Sequence, residues 1–276
     1  ASDVLSGSGL SSSAAFEVLL GTILNHLFND GKVSDVEIAQ IAQAAENKFF
    51  GKPCGLLDQM TSSVGSFVEI DFADPAKPVI EKLDFDFASC GYALCIVDTG
   101  GSHSDLTDEY AAVRKEMESV AEYLGKSVLR EVDEDEFMKN IADIRSSCGD
   151  RAVLRAMHFY GDNARVEKQA AALKAGDFET FKKYIIESGR SSYMYNQNVY
   201  SCKKASEQPV SLALSLSEKL LDGCGAWRVH GGGFAGTIQA FVPLNKLDEY
   251  KDLMEKVFGS GSCYILSVRP VGGVEL

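Results

Sequence analysis

The run Gly7-Ser8-Gly9-Leu10-Ser11-Ser12-Ser13-Ala14-Ala15 constrains this chain more than any other stretch. Two glycines one residue apart let the backbone turn tightly and bring its N–H groups up to an anion. Three consecutive serines add hydroxyl donors. Apolar residues then recur at three- and four-residue spacing through Ala15, Phe16, Leu19, Leu20, Ile23 and Leu27, which predicts a helix over 12–27 with one apolar stripe turned to a core. A glycine-rich turn leading into a helix joins backbone donors to the positive end of the helix dipole, an arrangement suited to phosphate. The run lacks the Gly-Lys-Ser/Thr ending of a Walker loop and the spacing of a dinucleotide-binding turn.

Farther along, Ser34 with Glu37 three residues on predicts a capped second helix with the stripe Ile38, Ile41, Ala42, Ala45 and Phe49. A short third helix is expected near Leu56, then strands over 66–71 and 79–83 around Asp74-Pro75. The continuous apolar run 92–97 predicts a strand buried on both faces. A long amphipathic helix is expected over 106–124 and a solvated acidic stretch over 131–137. Helices follow near 151–160, 163–175, 178–188 and 211–222, then a strand over 237–242, a helix over 247–257 and a strand over 263–268. Interleaved helices and strands with both crossovers and hairpins predict the α+β class.

Composition removes several functions. The chain carries 27 basic and 40 acidic side chains, net −13, a surface that repels nucleic acid and anionic lipid. A phosphate ligand must therefore be held by a local device, such as the loop at 7–15 or a metal ion. Seven dispersed cysteines, odd in number and without a Cys-X-X-Cys pair, point to reduced thiols and a cytoplasmic setting rather than a disulfide framework or zinc site. No apolar stretch reaches the length of a membrane span, and no signal peptide is recognisable.

Three further motifs carry chemistry. Gly231-Gly232-Gly233-Phe234-Ala235-Gly236 precedes a strand, so backbone there approaches either a ligand or a neighbouring segment very closely. Gly55-Leu56-Leu57-Asp58-Gln59 sets an acid just inside an apolar segment, where an aspartate is ordinarily a cap. Glu46, near the end of its helix, opposes the dipole and points to a compensating cation, though a solvated glutamate is the simpler reading. Asp98-Thr99-Gly100-Gly101-Ser102-His103-Ser104 follows the buried strand, at a strand end where ligand crevices commonly lie, and Tyr110 stands in the next helix.

Together these residues resemble the GHMP small-molecule kinase superfamily and, within it, the galactokinase family. The loop 7–15 is similar to the superfamily's second motif and 231–236 to its third. Glu46, Phe49, Gly51, Pro53-Cys54-Gly55 and Asp58-Gln59 resemble the galactokinase segment that carries the catalytic aspartate. His103-Ser104, Glu109-Tyr110 and Arg114 resemble the segment after the central strand. The resemblance covers essentially the whole chain, in order.

It implies a two-lobed fold with the site between the lobes, residues 1–88 forming the remainder of the first lobe and 89–276 the second. It implies ATP-dependent phosphorylation of galactose at the C1 hydroxyl, with Mg²⁺ as cofactor and ATP as co-substrate. Gly7, Ser8, Gly9, Leu10, Ser11, Ser12, Ser13, Gly232 and Gly233 would bind ATP, and Ser13 and Glu46 would hold the metal. Asp58 would act on the hydroxyl as base or orienting carboxylate, with Gly55, Asp58 and Tyr110 contacting the sugar. Partners would be the sugar and ATP, with neither nucleic acid nor membrane.

The chain also departs from the pattern. The superfamily's first motif, which supplies an arginine and most sugar contacts, is absent, and the chain opens Ala1-Ser2-Asp3-Val4 without methionine. A segment of the same fold is therefore expected upstream. Arg114, Arg190 and Arg228 are candidate replacement cations. Where galactokinases carry Ser-His-Arg-Ser-Leu, this chain has Ser188-Gly189-Arg190-Ser191-Ser192. A kinase of a related sugar such as N-acetylgalactosamine, a non-catalytic sugar and ATP sensor, and an inactive fragment remain open alternatives.

Overall fold

A computed structural model describes residues 11–51, 54–74, 77–101 and 106–274. Its contacts divide the chain into two compact units. One combines the residues up to Ala88 with those from Ser267 on, and the other runs Ser89–Leu266.

The first unit holds α1 (Ser12–Asn29), α2 (Asp35–Ala44), a π-helical turn (Ala45–Phe50), α3 (Leu57–Val64) and the antiparallel pair β1 (Phe67–Asp71) and β2 (Val79–Leu83). The capping box forms as predicted. Ser34 Oγ accepts from the Glu37 N–H, and the Glu37 carboxylate accepts from the Ser34 N–H.

α1 buries a different face from the one its periodicity predicts. Ala14, Val18, Thr22 and Asn25 are buried, whereas Phe16, Leu19, Leu20, Ile23 and Leu27 are exposed. Small residues decide this. Gly21 lets Ile38 of α2 come within 3.1 Å of where a Cβ would stand. The buried polar groups are satisfied locally: Thr22 donates to Val18 O, and Asn25 clamps both backbone groups of Val33. α2 likewise buries Ile38 and Ala42 but leaves Ile41 exposed, and Phe49 of the π turn is exposed too.

The residues from Ser267 on pack here, whereas the resemblance implies a second lobe running on to residue 276. Ser66 N–H donates to Arg269 O at 2.7 Å and Lys82 Nζ to Pro270 O at 2.6 Å. A Cβ on Gly272 would fall 1.7 Å from Ser63 O, so this contact requires glycine.

The second unit is built on β3 (Tyr92–Asp98), β4 (Ala226–Val229), β5 (Thr237–Pro243) and β6 (Cys263–Leu266), antiparallel in the order β4-β5-β3-β6. Cys95 stands opposite Ala240 on one side and Ile265 on the other. Cys95, Val97, Ile238 and Ala240 form a core with Tyr250 and Met254 of α10 (Leu247–Phe258) and with α9 (Pro209–Leu221). α4 (Thr107–Tyr123), α5 (Glu134–Lys139), α6 (Ile141–Cys148) and α7 (Asp150–Lys174) surround a helical core of their own. α8 (Phe178–Ser191) lies on β4, with Phe178 and Phe181 edge-on to Phe241.

The α+β class is as expected, with several local corrections. One continuous α7 replaces two helices, because Gly161 sits within it without ending it. The acidic stretch over 131–137 is not simply solvated. Asp133 caps α5, and Phe137 is buried beside Val120, Ile144 and Tyr160. β4 is short and has Arg228 at its centre, which hid it from the apolar pattern. β3 is buried on both faces as expected, through Ala93, Cys95 and Val97 on one side and Ile96 on the other, with Leu94 half-buried. Gly189 suits its place, since a Cβ there would stand 2.9 Å from Arg228 Cβ and 3.1 Å from Trp227 O. Among the described residues no helix is long and apolar enough to cross a membrane.

Candidate active-site elements

Of the expected phosphate loop, Gly7, Ser8, Gly9 and Leu10 lie outside the described residues, as do His103 and Ser104 of the later motif. The loop's end is defined. Ser11 occupies the left-handed region (φ 53°, ψ 45°) and leads directly into α1. Its side chain caps nothing, and the first turn contains no acidic residue. The first N–H groups of α1 therefore have neither an internal carbonyl partner nor a side-chain cap among the described residues, and no acidic residue of the first turn offsets the dipole's positive end. Ser12 is half-buried and Ser13 exposed on this turn.

Glu46 is the one buried residue of the π-helical turn, 2% exposed. Such turns concentrate at functional sites because the extra residue re-aims side chains without ending the helix. Gly51 stops the turn with φ 78°, its N–H donating to Glu46 O. Glu46 Oε2 accepts from Gln59 Nε2 at 3.0 Å, and the same nitrogen reaches Cys54 Sγ at 3.3 Å. Asn47 and Gln43 bind the Cys54 backbone. Cys54 N–H donates to Asn47 Oδ1 at 2.7 Å, and Cys54 O accepts from Asn47 Nδ2 and Gln43 Nε2. Burial is the leading cause that pushes the Cys54 thiol pKa upward, which leaves it a packing group. The pinned segment presents Gly55 at the surface, with nothing near its would-be Cβ, and passes into α3 with Asp58 exposed on its first turn.

In the second unit the glycine-rich segment 231–236 links β4 to β5. Tyr110 Oη donates to Gly233 O at 2.8 Å, and its ring meets Phe234 edge-on at 5.4 Å. Asn198 Nδ2 donates to Gly232 O at 3.1 Å, and Asn198 O accepts from the Phe234 N–H. Thr99 N–H and Oγ1 both donate to Gly236 O. Two glycines are sterically required. A Cβ on Gly233 would stand 1.9 Å from Asn198 O, and one on Gly232 would stand 2.8 Å from Tyr110 Cε1. The carbonyl side of the loop is thus tied down, while the N–H groups of Gly231, Gly232 and Gly233 have no acceptor among the described residues. Desolvation raises the Tyr110 pKa, so its hydroxyl stays protonated.

The structure therefore brings together Glu46, Cys54 and Gln59 in one unit, and Tyr110, Gly232 and Gly233 in the other. Asp58 and Ser13 are exposed and stand outside the first hydrogen-bonded group. The three candidate arginines are engaged within the second unit. Arg114 pairs with Glu118, Arg190 with Glu218, and Arg228 donates to Ser188 Oγ. Gln43, Asn47 and Asn198 were not singled out from sequence. Polar residues at 43, 46 and 47, spaced as neighbours along an otherwise apolar helix face, were the available signal for the first two.

Residues 1–66 match the family model described as the GHMP kinases N terminal domain. A galactokinase of Actinobacillus pleuropneumoniae is 31% identical over 253 residues, covering 92% of this chain and 63% of that protein. Human galactokinase is 32% identical over 275 residues, covering 100% of this chain and 66% of that protein. The chain belongs to the GHMP kinases. The fold of this GHMP kinase chain is similar to that of Lactococcus lactis galactokinase complexed with galactose, with TM-score 0.74 and 24% identity over 98% of this chain and 68% of the other. It is also similar to L. major mevalonate kinase in complex with R-mevalonate, with TM-score 0.59 and 14% identity over 95% and 66%. The chain spans less than two thirds of the length of several galactokinases it matches.

Proposed function

We propose that this chain carries the chemistry of a galactokinase, transfer of the ATP γ-phosphoryl group to the C1 hydroxyl of galactose. One observation carries the reading. A buried carboxylate, Glu46, is held beside the helix that bears the exposed Asp58, within a chain about 30% identical to galactokinases. In the reaction the C1 oxygen forms a bond to the γ-phosphorus while the bond to the β-phosphate oxygen breaks. ADP leaves, and the hydroxyl proton passes to Asp58. Such transfer depends on positioning and charge neutralisation rather than covalent help from the protein.

The residues suit Mg²⁺. Glu46 is a hard oxygen donor shut away from bulk water. Mg²⁺ commonly takes one or two carboxylates and completes its shell with water and substrate phosphates, a pattern that a single buried glutamate fits. Glu46, with Ser13, would hold it, and when bound it would neutralise phosphate charge. In the first unit the N–H groups at the start of α1, with the hydroxyls of Ser11, Ser12 and Ser13, suit phosphate oxygens; taken by itself, the glycine-rich loop of the second unit offers the N–H groups of Gly232 and Gly233 to the same kind of ligand. Tyr110, whose hydroxyl donates to Gly233 O, would contact the sugar, and Gly55 leaves room for the ring. Seven dispersed cysteines, odd in number and without a Cys-X-X-Cys pair, support a reducing, cytoplasmic setting.

The test is galactose-dependent ADP release with Mg-ATP. Asp58→Asn is expected to lower kcat by about 10²–10⁴-fold, with unchanged thermal stability because the residue is exposed. Turnover equal to that of the unsubstituted chain would refute the assignment.

A further inference from the structure

Gln59 is 1% exposed, and it is the point at which α3 meets the π-helical turn. Both hydrogens of its amide have acceptors, Glu46 Oε2 at 3.0 Å and Cys54 Sγ at 3.3 Å. Its Oε1 is buried with no hydrogen-bond partner among the described residues. A buried, unsatisfied carbonyl is costly, and a methionine would fill the same volume without it. The retained amide therefore has a use beyond packing. A glutamate has three side-chain torsions, the last of them broad, so its carboxylate has no orientation of its own. The Gln59 donor, together with the Cys54 thiol that also hydrogen-bonds to Glu46, gives it one. Asp58 is the adjacent residue on the same helix, so a single side chain ties the buried carboxylate to the helix turn that carries the exposed one.

We infer that Gln59 is a positioning residue for the reaction proposed above. It orients the Glu46 carboxylate toward the metal–nucleotide complex and couples that carboxylate to the helix bearing Asp58. The inference rests on Glu46 as the metal ligand. Its chemistry is that of an outer-shell donor, whose removal typically costs 10–100-fold in metal affinity.

The experiment uses the whole chain, with Mn²⁺ as the probe cation and ADP as the nucleotide, free Mn²⁺ being read by electron paramagnetic resonance. Gln59→Met keeps length and volume and removes the donor. It is expected to weaken Mn²⁺ binding in the presence of ADP by about 10-fold, while ADP affinity without metal stays within about twofold. Gln59→Asn, with the donor withdrawn by one methylene, should fall between and serves if Gln59→Met does not fold.

Lowered thermal stability in Gln59→Met with unchanged Mn²⁺ affinity, alongside weakened binding in Glu46→Gln, would overturn the inference and leave the proposed function standing. Unchanged affinity in Glu46→Gln, or no Mn²⁺ binding by the unsubstituted chain with ADP, would remove the metal assignment and the inference with it.

Discussion

Gly232→Ala tests the geometry of the glycine-rich loop directly. Gly232 does not have a positive φ, so alanine is conformationally acceptable there. The backbone term alone would stabilise the protein by about 0.4–1 kcal/mol through the unfolded chain. The opposing term is steric. The new methyl would stand 2.8 Å from Tyr110 Cε1 and 3.1 Å from Cδ1, while ordinary contact begins near 3.4 Å. The ring cannot swing aside freely, because its hydroxyl is bonded to Gly233 O and its face is fixed by Phe234. Overpacking of this kind costs about 1–3 kcal/mol, so a net loss of about 1–2 kcal/mol is expected. For a unit of this size that lowers the melting temperature by roughly 2–8 °C. Thermal denaturation of Gly232→Ala, Tyr110→Leu and the double variant forms the assay. In the Tyr110→Leu background the obstacle is gone, and the alanine is expected to be neutral or mildly stabilising. Equal costs of the alanine in the two backgrounds would refute the argument, since the clash would then not be with Tyr110.

Two further outcomes are expected. Val18→Ala should cost about 1.5–2.5 kcal/mol and Leu24→Ala under about 1 kcal/mol, because Val18 is 2% and Leu24 55% exposed; denaturant titration giving the reverse order would place the buried face of α1 on its other side. Burial lowers the His158 pKa below its usual value near 6.5, with Asp162 pulling the other way and Arg228 and Arg165 adding to the depression. The unfolded chain then binds more protons, so this contribution to stability is fully present above about pH 6.5. It is lost as pH falls toward the folded value, and His158→Gln should flatten that part of a stability–pH curve measured by denaturant unfolding.

The start of α2, the hairpin of the first unit and the class of the second were legible because each rests on a local rule: a capping box, a strand pair around a turn, an apolar run. α1 was legible as a helix but not in its orientation. Apolar side chains line more than one face, and periodicity ranks them by size, whereas close helix packing selected Ala14, Val18 and Gly21. The site showed a similar split. Glu46 and Asp58 stood out because a carboxylate in an unfavourable or apolar setting is conspicuous. Asn47 and Asn198 did not, and Gln59 entered only as the neighbour of Asp58, since a neutral amide becomes informative only when its partners are known, and those partners are 7, 34 and 13 residues away in sequence. Tyr110 was read as a sugar contact, and its bond to Gly233 O became visible only once the helix after β3 and the loop after β4 had been folded together.

The residues after 266 close a unit whose other members precede residue 89. On a ribosome this imposes an order of events. The Ser89–Leu266 unit is fully synthesised while β1 and β2 still lack the strap formed by Arg269 and Pro270. At roughly 5–20 residues per second, the early helices wait on the order of ten seconds or longer before that strap emerges. Until the residues after 266 emerge the first unit therefore stays unlatched, the stage at which a chaperone has most to hold.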